Sequence, residues 1–511
     1  MNTPAEPTRL SESRLFELQE AFYHREGMSA WNETPLHATS SSFVSEAYAE
    51  VALAFLLDSR IDLREPVWFL ELGAGPACFT HRFLTELTRK MSAFSALRDL
   101  KIQYMMSDFS PTMREAWTTN AFLRPWVDRG ILQFEIFRPD STPPPDRQLV
   151  NPVFVIANYV FDTLRQDAFR AEAGELFEVR VHVTNKVGTT SDQFSDLEVH
   201  EVIRPIQARG YYDEPAWNEI LEHYQKVYSS AVFLIPIGAL EVTRRLRSWA
   251  KGGMALMILD KGHFDLAANE GVNLIEHSIH GSISFGVNFD AVHRYLATCG
   301  GQTFCGDPSA KDLFASLSVM VPGSPPLERT GYVFAESLRR KDPFDALLSL
   351  ERMLPPWLDP KDPDWIPVCL AGLRTLSYDP YAFERCAEGL ERLTMERLTV
   401  EPFLWPALAV TLERVARNLD RTNTVAPAFL LRISFAIGAF DLCVAIADQC
   451  FAKREDTPWV LGLVARSHLA LGQRDRALAA LKKYRELEPQ NEWAVAELNR
   501  VRLEVLLRKK G

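Results

Sequence analysis

The feature that most constrains the fold of this chain is the stretch Val67–Thr80, VWFLELGAGPACFT. Its four leading apolar residues, 67–70, predict a short strand that is buried on both faces. The run Glu71-Leu72-Gly73-Ala74-Gly75 then predicts a turn, and helical spacing resumes at Phe79. A strand, a glycine turn and a helix form the first βα unit of a nucleotide-binding α/β domain. Glycine lets the backbone approach a ligand, and the helix start offers free N–H groups.

The spacing of the glycines discriminates between ligands. A dinucleotide site has the pattern G-x-G-x-x-G, and Cys78 stands where its third glycine belongs, which weighs against a nicotinamide-dependent oxidoreductase. The spacing Glu71-x-Gly73-x-Gly75 instead resembles the acidic turn of class I methyltransferases that use S-adenosylmethionine (SAM). There a third glycine is usual at the position of Ala77. A glycine turn without any ligand remains the open alternative.

An acidic residue follows the second predicted strand, Lys101–Met106. A carboxylate at this place accepts hydrogen bonds from both hydroxyls of a ribose, so Asp108 is the predicted ribose ligand. Phe109 is predicted to stack on adenine. The alternative for Asp108 is a helix cap, since Ser-Pro follows it.

Two further stretches are predicted to reach the same site. Asn158 and Asp162 follow the apolar strand Pro152–Ile156, at the carboxyl edge where such sheets carry their ligands. Thr39 and Ser40 belong to a Ser/Thr-rich stretch between two N-terminal helical patterns. It is predicted either to be a solvated connection or to form a lid whose hydroxyls contact the ligand.

Alternating strands and helices from 66 to 321 predict a doubly wound, mostly parallel, seven-stranded α/β sheet of Rossmann-like type. The predicted strands are segments rich in apolar residues: 67–70, 101–106, 131–137, 152–156, 231–236, 254–259 and 314–321. An alternating stretch at about 172–210 predicts a β insertion that covers the site.

Composition limits the classes of partner and the compartment. The net charge of −11 argues against broad nucleic-acid or anionic-membrane binding, and no apolar run reaches the length of a membrane helix. Seven cysteines without a C-x-x-C pair argue against disulfides and predict a reducing, cytoplasmic setting. The histidines lack the spacing of a helical zinc site, so no metal is expected.

Beyond about residue 340 the pattern predicts helices alone, which makes the chain an α/β domain, 1–338, followed by an all-α helical-repeat domain, 339–511. Pro458–Pro489 has the packing residues of a tetratricopeptide repeat, and Gly438 lies 34 residues before Gly472. Such repeats present a concave surface to protein partners, or they pack on their own domain. The oligomeric state is not predicted.

Several stretches together resemble the MidA-like SAM-dependent methyltransferases, which include the mitochondrial complex I assembly-factor methyltransferase. The resemblance covers roughly residues 12–335 and rests on an ordered set of motifs: Tyr23-His24-Arg25-Glu26, Thr39-Ser40, Glu71 to Gly75, Asp108-Phe109-Ser110-Pro111, Asn158 to Arg165, Asp260-Lys261-Gly262 and Val287-Asn288-Phe289.

The resemblance implies SAM as cofactor and a protein side chain, arginine among them, as methyl acceptor. It implies that Glu71 holds the methionine end of SAM, that Gly73, Ala74 and Gly75 supply close backbone, and that Asn158, Tyr159 and Asp162 line the transfer site. Tyr159 stands where the family has a glutamate, and Arg165 where it has a proline. A guanidinium acceptor needs carboxylates that grip it, so these departures weigh against arginine.

Two functions of different class follow. The first is a SAM-dependent methyltransferase whose helical tail recruits a protein. The second is a catalytically silent assembly factor or scaffold that keeps the cofactor fold for its shape and acts through the repeats.

Overall fold

The structure is a computed structural model. It describes residues 6–32, 37–137, 149–187, 189, 193–308, 310, 313–323, 327–340, 365–395, 404–451 and 457–508. The chain divides into two compact units, Met1–Asp345 and Ala346–Gly511. The predicted boundary after residue 338 stays a prediction, since residues 341–364 lie outside the described part.

The first unit is built on a mixed sheet of seven strands. In spatial order these are β15 (Gln302–Cys305), β16 (Phe314–Met320), β10 (Met254–Asp260), β5 (Val153–Asn158), β2 (Val67–Leu72), β3 (Ile102–Asp108) and β4 (Leu132–Ile136). Strand β16 pairs antiparallel with both neighbours, and the other four pairings are parallel.

The strand order reverses at β2. From β2 the chain continues outward to β3 and β4, and it then returns to β5 on the opposite side of β2. A crevice opens at such a reversal outside the carboxyl ends of the strands, and α/β proteins place their ligands in this crevice. The glycine turn after β2 therefore lies at the binding edge of the sheet.

Helices cover both faces of the sheet because its central strands are apolar at consecutive positions. Phe69, Phe154 and Met257 belong to one core with helices α3 (Ser42–Asp58) and α4 (Cys78–Met91). Leu70, Val155 and Leu256 belong to the opposite core with α7 (Pro215–Val227), α8 (Ile237–Trp249) and α9 (Phe289–Thr298). The remaining helices of this unit are α1 (Arg14–Glu26), α2 (His37–Ser40), α5 (Pro111–Thr118), α6 (Arg124–Asp128) and α10 (Glu328–Phe334).

A second sheet corrects two predictions. It contains β1 (Thr8–Arg9), β6 (Asp167–Glu172), β7 (Glu175–Asn185), β8 (Leu197–Ile206) and β9 (Ser230–Ile235). The predicted insertion at 172–210 is thus one part of a larger antiparallel sheet. The run 231–236 belongs to this sheet and not to the main one, where the unpredicted edge strand β15 completes the seven. Short ladders join β11 (Gly262–His263) with β14 (Val287–Asn288) and β12 (Ser278–His280) with β13 (Ser282–Ser284).

The second unit is helical wherever it is described. Its helices are α11 (Trp365–Thr375), α12 (Pro380–Met395), α13 (Leu404–Arg417), α14 (Ala426–Ala436), α15 (Phe440–Cys450), α16 (Pro458–Ala470), α17 (Arg474–Leu487) and α18 (Glu492–Arg508). A further predicted helix, 343–353, lies outside the described residues.

Two turns of the second unit have the same geometry 34 residues apart. Gly438 and Gly472 both have positive φ, 80° and 71°, in the turns before α15 and α17. The N–H of the next residue bonds five residues back in both turns, from Ala439 to Ser434 and from Gln473 to His468, at 2.8 Å each. The backbone therefore repeats at the predicted period, while assignment to the tetratricopeptide class stays a prediction.

Candidate functional site

Three alternate residues of the glycine turn after β2 have left-handed backbone conformation. Gly73, Gly75 and Ala77 have φ values of 61°, 49° and 70°. The N–H of Ala74 donates to the carbonyl of Ser107 at 2.9 Å, which ties the turn to the end of β3. A Cβ on Gly73 would lie 2.9 Å from Cγ2 of Val160, so the glycine allows a close approach between the ends of β2 and β5. Ala77 adopts the conformation that favours the glycine usual at this place.

Asp108 lies beneath this turn, as the position of an acid after β3 predicts. Its carboxylate accepts the N–H of Ser110 at 3.0 Å and the N–H of Gly75 at 3.4 Å. The side chain is buried, and burial raises its pKa to about 6, although the backbone donors act in the opposite direction. The cap-like bond to Ser110 and a ligand role are compatible, because a carboxylate has about four acceptor positions.

Glu71 is placed deeper than a direct ligand contact requires. It is 4% exposed, and its Oε2 accepts hydrogen bonds from Thr80 at 2.5 Å and from Tyr104 at 2.7 Å. Burial raises its pKa to about 7, against these two donors, which lower it. The structure thus shows Glu71 tying β2 to α4 and β3. Its predicted contact with the amino group of SAM stays a prediction.

The Ser/Thr stretch is folded into the protein. Thr39 and Ser40 belong to α2 and are buried, so the prediction of a solvated connection is wrong. Their carbonyls make the bonds that the structure shows: Asn158 Nδ2 donates to Thr39 at 3.4 Å, and Arg82 donates to Ser40. Tyr48 donates to Oδ1 of Asn158 at 2.8 Å, which fixes the orientation of this amide. Thr39 and Asn158 are therefore in contact, while the predicted contact of this stretch with a ligand stays a prediction.

Tyr159 has a positive φ of 51°, which is rare for a large side chain and indicates a locally constrained backbone. Asp260, at the end of β10, binds the backbone that directly follows Tyr159. Its Oδ2 accepts the N–H groups of Val160, Phe161 and Asp162 at 3.1, 2.8 and 3.3 Å. Sequence reasoning noted Asp260 as part of a motif but did not place it in the site.

Asp260 and Asp162 form a buried carboxyl pair. Burial and the neighbouring Asp162 raise the pKa of Asp260 well above its usual range. Burial raises the pKa of Asp162 to about 6, although the charge of Lys261 lowers it. Oδ1 of Asp162 has no hydrogen-bond partner among the described residues. The ammonium of Lys261 lies 5.8 Å from the ring centre of Tyr159, on the same edge of the sheet.

A small cavity lies between the turn and helix α1. Its lining combines close backbone, a buried carboxylate and apolar walls: Tyr23, Gly27, Gly73, Asp108, Phe109, Ser110, Met113 and Tyr159. This set fits a nucleoside, which needs a carboxylate for its hydroxyls and flat apolar walls for its base. The volume, about 40 Å³, is far below the 300–1,000 Å³ typical of small-molecule sites. A nucleoside therefore does not fit the cavity in this conformation, in which Tyr23 of α1 and the adjoining Gly27 form part of the wall.

Three further observations concern metal binding, membrane helices and thiols. Within the described ranges, no group of three or more His, Cys, Asp or Glu side chains could hold a metal ion. The same part of the chain contains no helix with the length and apolar character needed to cross a membrane. All seven cysteines are free thiols.

No protein-family model and no curated protein matches this chain. Among solved structures, an uncharacterised protein from Burkholderia thailandensis is similar, with 15% identity and a TM-score of 0.41 over 62% of this chain and 89% of its own. A second member of its superfamily from the same organism, bound to S-adenosyl-homocysteine (SAH), has 14% identity and a TM-score of 0.39 over 57% and 80%. A complex of DhpI with SAH has 13% identity and a TM-score of 0.29 over 60% and 98%. The function of this chain is therefore inferred from its own geometry.

Proposed function

We propose that this chain is a SAM-dependent methyltransferase of the class I type. The observation that carries the proposal is the arrangement at the reversal of the strand order. There a left-handed glycine turn lies over a buried carboxylate, and Gly75 donates to Asp108 at 3.4 Å. Tyr159 lines the same crevice, and it follows Asn158 at the end of neighbouring strand β5. A doubly wound sheet with ligand contacts at its carboxyl edge accounts for all of these placements.

Each residue has a defined part in this proposal. Asp108 holds the ribose, Phe109 and Met113 flank the base, and the backbone of Gly73 and Gly75 allows the close approach. SAM supplies a methyl group on a positively charged sulfur. The fold then has to align the acceptor with that methyl group and to exclude water, and it does not have to supply strong acid–base chemistry. Asp260 contributes by fixing the turn that carries Tyr159.

The acceptor and the partner belong to the same proposal. A protein side chain is the acceptor expected from the sequence, and the helices of the second unit are the expected recruiting surface. The repeated turn geometry at Gly438 and Gly472 supports a repeat architecture of this kind. Seven free thiols support a reducing, cytoplasmic setting.

A catalytically silent scaffold is the second candidate, and two observations favour it. The cavity at the glycine turn has a volume of only about 40 Å³. In addition, both donors to Oε2 of Glu71 come from the protein itself, so this acid already has a structural task. A scaffold of this class would bind neither SAM nor SAH.

Calorimetric titration of SAM and SAH into the full-length protein separates the two candidates. We expect binding in the micromolar range that is lost in Asp108→Ala, because the ribose then has no carboxylate. The matched control is Asp99→Ala, which removes an exposed carboxylate just before the same strand. Absence of heat with both ligands, on a folded sample, contradicts the methyltransferase and supports the scaffold.

A further inference from the structure

A larger pocket lies beside the small cavity, and none of the predicted roles uses it. Its volume is about 390 Å³, within the range of small-molecule sites. Apolar side chains form most of its wall: Phe16, Tyr23, Phe109, Leu164 and Ile237. The wall also includes Thr163 and Arg165, which directly follow the carboxyl pair's Asp162.

The two pockets are neighbours. Tyr23 and Phe109 line both of them, and their rings meet edge to face with centroids 5.9 Å apart. The hydroxyl of Tyr23 bonds to Ser282 at 3.0 Å. This pair of rings therefore forms part of the wall between the larger pocket and the crevice at Gly73. The larger pocket is the place from which an acceptor atom would meet a methyl group held at the glycine turn.

The charged groups around the larger pocket are mainly acidic. Glu12, Glu20 and Glu241 line it together with a single cation, Arg165. Glu241 forms ion pairs with Arg244 and Arg245, which lie on the same helix. Arg165 is turned toward the N-terminal segment, because its guanidinium donates to the carbonyl of Ser11 at 2.5 Å. Glu241 is therefore neutralised by its own helix, and Glu20 lies 3.5 Å from Nε2 of His24. The attraction of the rim for cations rests on Glu12 and Glu20, while the wall behind it is apolar.

From this geometry we infer that the larger pocket, walled by Phe16, Tyr23, Phe109, Leu164 and Ile237, binds the methyl acceptor, and that the acceptor is an amine carried on an apolar stem. The inference rests on the proposed methyl transfer and names the substrate class of that same site. Its two sources are a lysine side chain of a protein and a free apolar amine.

An amine fits this pocket better than a guanidinium does. An ammonium is drawn to the glutamates at the rim, and its pKa falls readily when it enters an apolar site, which releases a proton to solvent and leaves a free lone pair. A guanidinium stays charged there and would need ionised carboxylates that grip it, whereas Tyr159 stands at the nearest strand end and burial raises the pKa of both Asp162 and Asp260. In the transfer the amine nitrogen forms a bond to the methyl carbon while the carbon–sulfur bond breaks, so the positive charge passes from sulfur to nitrogen.

The binding test uses four probes of one shape on the full-length protein without SAM. They are 2-phenylethylamine, 2-phenylethylguanidine, 2-phenylethanol and 3-phenylpropionate, measured by calorimetry. We expect the amine to bind most tightly and the carboxylate not at all. Preference for the guanidine or the carboxylate overturns the inference, and so does the absence of binding by all four.

Three variants locate the binding. Ile237→Trp fills the pocket at the start of α8 and should abolish binding of the amine and the alcohol. The double variant Glu12→Gln with Glu20→Gln should weaken the amine about threefold to fivefold and leave the alcohol unchanged. Glu17→Gln is the matched control, since Glu17 is an exposed carboxylate on the helix of Glu20 and lies outside the pocket. Equal loss in Glu17→Gln and in the double variant contradicts a role of the rim.

SAH titration into Ile237→Trp makes the two proposals separable. Retained SAH affinity together with lost amine affinity supports the acceptor pocket. If the wild type binds the amine but not SAH, the methyltransferase proposal fails and the amine pocket stands. Labelled SAM then identifies the source: methyl-lysine in protein and a methylated free amine each support the inference, whereas methyl-arginine contradicts it.

Discussion

Asp108 is a residue at which binding and stability oppose each other. Its carboxylate is buried, and its pKa is about 6 in the folded protein, against an ordinary value of 3.8. A carboxyl group with a raised folded-state pKa stabilises the fold at low pH, and this contribution is lost as the pH rises through the folded-state value. The protein therefore keeps an unfavourable charge at neutral pH at the place where a ribose would need it.

The variant Asp108→Asn tests this conflict. We expect its free energy of unfolding, relative to the wild type, to rise by about 1–3 kcal/mol between pH 4 and pH 8, because the amide cannot ionise. Urea unfolding at several pH values measures the difference. Asp62→Asn is the control, since hydrogen bonds from Arg64 lower the pKa of Asp62 to about 2. Its pH dependence therefore lies below about pH 4, and its difference from the wild type should be nearly flat between pH 4 and pH 8. A flat pH profile for Asp108→Asn would refute the assignment of a buried charge.

Ala77 is strained by its conformation at the start of α4. A non-glycine residue at a φ of 70° costs roughly 1–2 kcal/mol, and glycine removes that cost while it adds disorder to the unfolded chain. We expect Ala77→Gly to raise the free energy of unfolding by about 0.5–1 kcal/mol, measured by thermal and urea unfolding. Ala74→Gly, in the same turn but without positive φ, should lower it by a similar amount. Destabilisation by both changes would show that strain at Ala77 is relieved elsewhere.

At the scale of elements, the sequence predicts β2, β3, β4, β5, β10 and β16 within a few residues, because the sheet buries most residues of all of them except edge strand β4, where more buried and exposed residues alternate. It misplaces β9 for the same reason. Ala231, Phe233 and Ile235 are buried in the core that also contains Val153 and Val155, so β9 packs against the main sheet without joining it. An apolar run indicates burial but does not name the pairing partner. Edge strand β15, with a single large apolar residue, gives no such signal.

The candidate site likewise contains features that the sequence locates and contacts that it does not report. The glycine turn is local in sequence, and Asp108 is marked by its place at the end of an apolar strand, so both could be located without knowledge of the fold. Their ligand roles stay predictions. Asp260 acts on backbone about 100 residues earlier in the chain, and no local pattern reports such a contact. The left-handed backbone at Tyr159, directly before the bound segment, is equally invisible to periodicity.

Helix α1 is the element whose position decides access to the crevice. It carries Tyr23, which lines both pockets, and Gly27 follows its end. Because the cavity at Gly73 has a volume of only about 40 Å³, we expect α1 to open before a nucleoside enters. When a ligand is bound in the closed crevice, α1 can open only after the ligand has dissociated. Ligand binding therefore stabilises the closed position of α1.

Amide hydrogen exchange tests this expectation. We expect saturating SAH to slow exchange in Arg14–Glu26 more than in Cys78–Met91, whose amides are already protected by the sheet core. The control is Asp108→Ala, in which SAH should leave both segments unchanged. Equal slowing of the two helices, or an effect confined to α4, would contradict a lid role for α1.

Within the described residues, each of the two units has hydrophobic clusters of its own. The sheet-based cores lie within the first unit, and a separate cluster of Ala465, Leu481, Leu498 and Val501 lies within the second. Units with their own cores unfold as separate cooperative transitions when few contacts couple them. All the residues proposed to contact SAM belong to the first unit.

The presence of two units predicts that a ligand of the first unit stabilises only one of two unfolding transitions. We expect calorimetric unfolding of the full chain to show two transitions, and SAH at 100 times its Kd to raise only one of them, by about 2.7 kcal/mol of stability at 25 °C. The shift should vanish in Asp108→Ala, while the other transition keeps its midpoint.

Because Gly472 occupies a left-handed turn in the second unit, Gly472→Val should lower the SAH-insensitive transition alone. If one variant moves both transitions, the units are thermodynamically coupled, and SAH binding would then also stabilise the helices proposed to recruit a partner.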